Sequence, residues 1–243
     1  MIVSRYKIPR RRVIAIAALF IFSIVFSRSS AEQSADATDI IDSIAHVAGM
    51  SDLSSIKEIG FTYYAKSSSG KVRRRWQWFP KTDDVIFTGK DPSGKKGTIT
   101  YSRKTLADTP KGALVHTVDA WFVNDIYWLL FPYFLKNDPL KRAVRKNSVV
   151  MPLSGKWATG ITVEYYKPDP RRPGGKFKLF VDTAYHIREW VVYPYESHRA
   201  VTANKWVNYR KADPFIVSFS RTTRKGKGII VRISNVKIIK AGE

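Results

Sequence analysis

Short segments in which apolar and polar residues alternate recur along most of the chain, separated by turns rich in Gly, Pro, Asn and Ser. In residues 72–79, for example, Val72, Trp76 and Trp78 lie on one side of the predicted strand, and mostly polar residues lie on the other. The pattern predicts strands at 56–65, 72–79, 84–88, 97–103, 148–151, 159–166, 176–183, 187–193, 206–211, 216–222 and 229–239. Strands at this spacing favour an up-and-down antiparallel sheet.

Two stretches follow a helical period instead. The first is a short amphipathic helix that ends at Gly49, and its apolar stripe consists of Ile40, Ile41, Ile44, Val47 and Ala48. The second is predicted over residues 114–123, where Leu114, Val118, Trp121 and Phe122 keep helical spacing. The sequence therefore adds two helices to the sheet.

The longest apolar run of the folded part is residues 121–135, WFVNDIYWLLFPYFL. Its polar pair, Asn124 and Asp125, is predicted to end the second helix by bonding free backbone groups. A polar contact to a ligand headgroup is the alternative. Residues 126–135 are expected to continue as an extended or irregular segment that stops at Pro132. So much apolar surface must be buried, either in the protein's own core or against an apolar ligand.

The fold class that follows is mainly β (α+β): a curved antiparallel sheet forms a half-open β-barrel, and helices cover its concave face. Such a sheet with aromatic inner residues can enclose a cavity for an apolar ligand. The candidate lining residues are Trp76, Trp78, Trp121, Tyr127, Trp128, Leu130 and Phe131. For any single one of them, a place in a packed core is the alternative that the sequence favours.

Residues 1–31 have the composition of an export signal. They contain six Lys or Arg, no acidic residue and an apolar run over 13–26, and Ser29 and Ala31 provide small residues for cleavage before Glu32. An uncleaved anchor is the alternative, so the folded domain is expected at 32–243. The chain contains no cysteine, which excludes disulfides and a lipid-modified cysteine. A periplasmic location in a bacterial envelope fits these features, with inner-membrane anchoring still open.

The formal net charge of +22 favours anionic partners, and solvated loop charge is the alternative. Several basic clusters are predicted to lie in loops that dock on an anionic membrane surface. Their members include Arg73, Arg74, Arg75, Lys95, Lys96, Arg221, Arg224 and Lys225. Export makes nucleic acid the less suitable partner, and a monomer is expected.

No pattern in the sequence points to catalysis. The four histidines have no metal-ligand spacing, and His116 with Asp119 is best explained as a helix-surface contact. Nucleophile-elbow and P-loop patterns are missing from the sequence. We therefore expect a protein without enzymatic activity and without a cofactor.

Residues 124–132, NDIYWLLFP, resemble a stretch of envelope proteins that share the fold of the bacterial lipoprotein carriers LolA and LolB. Residues 178–182 with 187–193, 206–210 and 235–238 resemble later strands of that group, so the resemblance covers about residues 40–240. It implies a twisted half-barrel with helices as a lid that binds acyl chains or a lipidated partner. Residues 172–177, RPGGKF, depart from the group's pattern by adding charge to a loop. The function expected is a lipid or lipoprotein carrier; an interaction protein with a packed interior is the alternative, and a hydrolytic enzyme the remote one.

Overall fold

The computed structural model describes residues 37–68, 70–168, 172, 174–200, 202–223 and 229–242. The proposed signal at 1–31 lies outside the described residues. Helix α1 covers 37–47, a 3₁₀ turn covers Leu106–Asp108, and helices α2 and α3 cover Leu114–Leu129 and Phe131–Asn137. The described strands are β1 Ile56–Ser67, β2 Gly70–Phe79, β3 Asp84–Lys90, β4 Lys96–Ser102, β5 Leu140–Val150, β6 Trp157–Tyr165, β7 Lys176–Val181, β8 Ile187–Tyr193, β9 Thr202–Ala212, β10 Phe215–Thr222 and β11 Ile230–Lys240.

These strands form one antiparallel sheet in the order β4-β3-β2-β1-β11-β10-β9-β8-β7-β6-β5. The sheet is open, because β4 and β5 are its two edges, and its first and last strands in sequence, β1 and β11, pair in the middle. The predicted fold class is therefore confirmed. Each predicted strand is present, although β5 begins at Leu140, well before residue 148. The polar residues early in β5 obscure the strand in the sequence, yet they suit an edge strand exposed to solvent.

The helix predicted over residues 114–123 is confirmed, but the prediction for residues 124–135 was wrong. Helix α2 runs through Asn124 and Asp125 without interruption, and α3 begins one residue after α2 ends. Pro132 lies in the first turn of α3, where its missing N–H is not needed. Residues 126–135 are therefore helical, and the change of direction occurs at Leu130 instead of at the polar pair.

The core lies between the sheet and the helices α2 and α3. Its centre is a group of aromatic rings around Phe131, whose ring lies 5.0 Å from that of Trp190, 5.4 Å from that of Phe177 and 5.8 Å from that of Trp206. Trp128 adds an edge-on contact with Trp190 at 4.8 Å. Because these rings come from α2, α3, β7, β8 and β9, they attach the two helices to the second half of the sheet.

Helix α1 packs against the turn between β9 and β10. The Ile216 N–H donates to the Ala48 carbonyl at 2.9 Å, and Asp42 forms an ion pair with Lys136 of α3 at 2.9 Å. Gly49 ends the helix with φ +68°, and a Cβ there would lie 2.4 Å from the Pro214 carbonyl oxygen. Glycine is thus required both by the left-handed backbone and by the close approach. Among the described residues, no helix combines the length and the apolar character needed to cross a membrane.

Replacing Gly49 by Ala should lower the free energy of unfolding by roughly 1–3 kcal/mol, because the left-handed conformation and the contact with Pro214 both oppose a side chain. Urea denaturation followed by tryptophan fluorescence measures this change. Gly97→Ala is the control, since an added Cβ at Gly97 meets no atom within 4 Å. Equal stabilities for the two variants would contradict the packing of α1 described above.

Candidate ligand-binding site

An apolar cavity of about 440 Å³ lies between the β1–β2 hairpin, helix α2 and the adjoining ends of β8, β9 and β11. Its apolar walls are formed by Tyr63, Ala65, Val72, Trp128, Val192 and Ile229, and Asn124 and Lys71 add polar groups. Tyr63 and Ala65 lie on the same face of the sheet as Arg74 and Val72, their partners in the ladder between β1 and β2. The volume falls within the usual range of small-ligand sites.

A larger depression, the cationic groove, lies beside this cavity over β2, β3 and β4. Its volume is about 1040 Å³, and its walls include Lys71, Arg73, Arg74, Lys90, Lys96 and Trp121. Lys71 and Val72 line both the groove and the apolar cavity. The two spaces are therefore adjacent, one with apolar walls and the other with cationic walls.

The register of β2, β3 and β4 explains the form of the groove. Arg74 pairs with Gly89, and Gly89 pairs with Gly97, so one row across the three strands carries a single side chain. An added Cβ at Gly97 would meet no atom within 4 Å. Trp121 of α2 borders the groove, and the Arg74 guanidinium lies 4.8 Å from the centre of its ring. The missing side chains at Gly89 and Gly97 thus provide the space on the face of the sheet that carries Arg74, whereas Arg73 and Lys90, which alternate with them along the strands, belong to the opposite face.

A buried carboxylate, Asp125, attaches α2 to β2 beneath the groove. It is inaccessible to solvent, accepts a hydrogen bond from Trp76 Nε1 at 2.9 Å, and lies 3.3 Å from Nη1 of Arg74. Asn124 Nδ2 also donates to it at 3.0 Å. Burial raises the pKa of Asp125 to about 7, while Arg74 and the hydrogen bonds oppose that rise.

Arg221 was wrongly predicted to be a membrane-docking residue. It is fully buried in β10, where Nη2 donates to the Trp128 carbonyl at 2.6 Å and Nη1 donates to the Ser218 carbonyl. Its guanidinium lies 3.8 Å from the centre of the Trp206 ring. Burial lowers its pKa to about 10, so it remains a cation at neutral pH. Because Trp128 is in the last turn of α2, Arg221 provides the positive charge that favours a helix C-terminus.

The structure places the predicted lining residues in two groups. Trp121 borders the cationic groove and Trp128 borders the apolar cavity, which leaves their role in binding as a prediction. Trp76, Tyr127, Leu130 and Phe131 are buried in the core, and Trp78 is partly buried with its Nε1 bonded to Asp83. Sequence reasoning missed Tyr63, Ala65 and Val192. The alternation along β1 was the available signal for Tyr63 and Ala65, but their pairing with β2 had to be known as well.

The other residues that were predicted to dock on a membrane differ in their position and exposure. Arg73 and Arg75 are exposed but lie within strand β2, so their assignment to a loop was wrong. Lys95 and Lys96 are exposed at the start of β4. Arg74 is directed to Asp125, with its side chain only 12% exposed. Arg224 and Lys225 lie outside the described residues.

The other polar clusters are structural contacts. Asp119 of α2 accepts hydrogen bonds from Arg103 Nε at 2.8 Å and Tyr101 Oη at 3.1 Å, while His116 contacts the Thr109 carbonyl instead. Within the part of the chain that the structure describes, no group of three or more His, Cys, Asp or Glu is placed to hold a metal ion. Asp119 therefore fixes α2 against β4 as Asp125 fixes it against β2.

No protein-family model and no curated protein matches this sequence. Among solved structures, it is similar to a DUF1329 family protein from Desulfovibrio piger (TM-score 0.47, 9% identity, covering 84% of this chain and 92% of that one). It is also similar to a LolA superfamily protein from Nitrosomonas europaea (TM-score 0.47, 10% identity, 81% and 92%). A third similar structure, from Vibrio parahaemolyticus, is named as an outer membrane lipoprotein-sorting protein domain (TM-score 0.44, 10% identity, 82% and 91%).

Replacing Asp125 by Asn tests its protonation in the folded protein. A carboxyl whose pKa rises from 3.8 in the unfolded chain to about 7 in the folded one contributes stability fully below pH 4 and loses it as the pH approaches 7. The difference in unfolding free energy, wild type minus Asp125→Asn, should therefore fall between pH 4 and pH 7, by on the order of a few kcal/mol. Urea titrations across this range measure it. A difference that grows with pH would show instead that Arg74 keeps the carboxyl ionised.

Proposed function

We propose that this protein is an exported, non-catalytic protein of the bacterial envelope that binds or carries a lipid or an acylated partner. The observation that supports this most directly is the apolar cavity beside the cationic groove. Residues 1–31 act as the export signal in this proposal, and residues 32–243 act as the binding domain in the periplasm. The group that the sequence motifs resemble has the same expected function.

The walls of the apolar cavity suit an acyl chain. Aromatic and aliphatic side chains from β1, β2, α2 and β8 surround it, and burying a methylene group in such surroundings contributes roughly 0.8 kcal/mol. Among the described residues that line this cavity there is no carboxylate and no imidazole. Such walls provide affinity for apolar surface, which is why we propose binding rather than catalysis.

The exposed cations beside the groove support docking on a membrane surface. Arg73, Arg75, Lys95 and Lys96 are all exposed around β2 and the start of β4. A basic residue close to an anionic leaflet contributes about 1 kcal/mol, so a few of them suffice for reversible contact. Docking through these residues would bring the cationic groove next to the lipids from which a ligand is taken.

Filling the apolar cavity should abolish lipid binding. Val72 is 41% exposed at the cavity wall, so Val72→Trp adds bulk there at little cost to the core. The control is Val150→Trp in β5, because Val150 is 51% exposed at the opposite edge of the sheet. Protein purified from its native envelope is extracted with organic solvent and analysed by mass spectrometry. We expect a co-purifying lipid in the wild type and in Val150→Trp, and a loss of at least about tenfold in Val72→Trp.

Val72 is a better test position than Trp128. Trp128 is only 3% exposed and contacts Trp190, so its truncation would cost about 3–5 kcal/mol of stability and confuse binding with folding. Wild-type protein that is repeatedly empty would refute the carrier proposal and favour an interaction protein with a packed interior. Equal lipid content in both Trp variants would place the lipid elsewhere.

Docking should depend on salt and on the exposed cations. Sedimentation with vesicles of phosphatidylglycerol and phosphatidylcholine should show strong binding at low ionic strength and weak binding near 0.5 M salt, because exposed charges are screened. The double variant Arg75→Glu, Lys95→Glu should bind several-fold more weakly, whereas Arg188→Glu, which changes an exposed cation on β8, should bind nearly as the wild type does. Binding that is insensitive to salt would refute electrostatic docking.

A further inference from the structure

The two faces of strand β2 carry different side chains. Arg74 and Trp76 both bond with Asp125 of α2, so they lie on the inner face of the sheet, under the helix. Successive residues of a strand point to opposite faces, which places Lys71 and Arg73 on the outer face. These two cations are therefore separated from the apolar cavity by the sheet itself.

A row of three cations crosses the outer face from β2 to the edge strand β4. Arg74 pairs with Gly89, so Arg73, one residue earlier, lies next to Lys90. Lys90 in turn pairs directly with Lys96 of β4. Neighbouring strands lie about 4.8 Å apart, so the backbone positions of the three cations span only about 10 Å.

Further cations extend this row towards the middle of the sheet. Arg73 pairs with Tyr64 of β1, and Tyr64 pairs with Arg232 of β11. Two residues further along β1, Lys66 pairs directly with Lys71. The six cations together form the outer basic face, which consists of Lys66, Lys71, Arg73, Lys90, Lys96 and Arg232.

The outer basic face has no acidic partner in the described part of the chain. All six side chains are exposed, and among the described residues no hydrogen bond or ion pair involves them. Asp91, which follows Lys90, instead accepts hydrogen bonds within its own turn, from Ser93 N at 2.9 Å and Lys95 N at 3.0 Å. Like charges directly opposite each other in a sheet destabilise it. This face therefore carries an electrostatic cost that a bound anion would relieve.

We propose that the outer basic face binds an anionic lipid whose headgroup carries two or more phosphates. This inference rests on the membrane docking of the proposed function, and it adds the face that docks and the chemical class of the headgroup. Lys and Arg form charge-assisted hydrogen bonds with phosphate oxygens. Phosphates joined in one headgroup reach a second cation without the recruitment of another lipid, whereas singly charged lipids must each be gathered separately.

Vesicle sedimentation at one low ionic strength tests the class of headgroup. Phosphatidylcholine vesicles contain either cardiolipin, which has two phosphates, or phosphatidylglycerol at twice that molar fraction, so that both carry the same charge. We expect protein purified from its native envelope to bind the cardiolipin vesicles about five- to tenfold more tightly. Equal binding to both would overturn the inference and leave the proposed docking intact, whereas binding to neither would refute the docking itself.

Two double variants of equal net charge locate the effect. Arg73→Gln, Lys90→Gln should lose the preference for cardiolipin. Lys178→Gln, Arg188→Gln, which removes exposed cations from β7 and β8, should retain it. The first variant should melt no lower than the wild type, because it removes like charges that lie side by side, and this separates a loss of binding from a loss of folding.

Two further results would count against the proposal. A loss of the preference in both double variants, or in neither, would show that the outer basic face does not produce it. Tighter binding of pyrophosphate or of a single-stranded oligonucleotide in solution than of the cardiolipin vesicles would overturn the assignment to a lipid.

Discussion

The attachment of α2 to β2 through Asp125 is the constraint on which the rest of the structure depends. A carboxyl without any solvent exposure is stable only if its oxygens have donors, and here Trp76, Arg74 and Asn124 supply them. Turning or shifting the helix by one residue would separate Asp125 from Trp76 and Arg74, its two donors on β2. These hydrogen bonds therefore restrict the rotation and the shift of α2 over the concave face more strongly than apolar packing alone would.

Two further contacts fix the same helix near its ends. Asp119 binds Arg103 and Tyr101, and the carbonyl of Trp128 binds Arg221 from β10. The helix is thus held by β2 and β4 on one side and by β10 on the other. Along this helix, Asn124 and Trp128 line the apolar cavity and Trp121 lines the cationic groove. The cavity is the space that remains once the helix position is set.

The strands could be predicted from the sequence because alternation and turn residues are local signals, as in β2 with its aromatic inner face. The continuity of α2 could not be predicted, because the partners of Asp125 that decide it, Trp76 and Arg74, lie 49 and 51 residues earlier in the chain. The burial of Arg221 could not be predicted either, because Trp128, whose carbonyl accepts its hydrogen bond, lies 93 residues earlier in the chain. Within the candidate site, Trp121 and Trp128 were found from their apolar surroundings. Tyr63 and Ala65 became visible only with the register of the sheet.

The open edges of the sheet have a consequence for association between copies. An unpaired edge strand exposes backbone donors and acceptors that a second chain can join. Here β5 carries Arg142, Arg145 and Lys146, and β4 begins at Lys96. Joining two such edges would bring like charges within a few ångströms, which costs free energy at every matched pair. The basic residues of the two edge strands thus oppose pairing between the sheets of two copies.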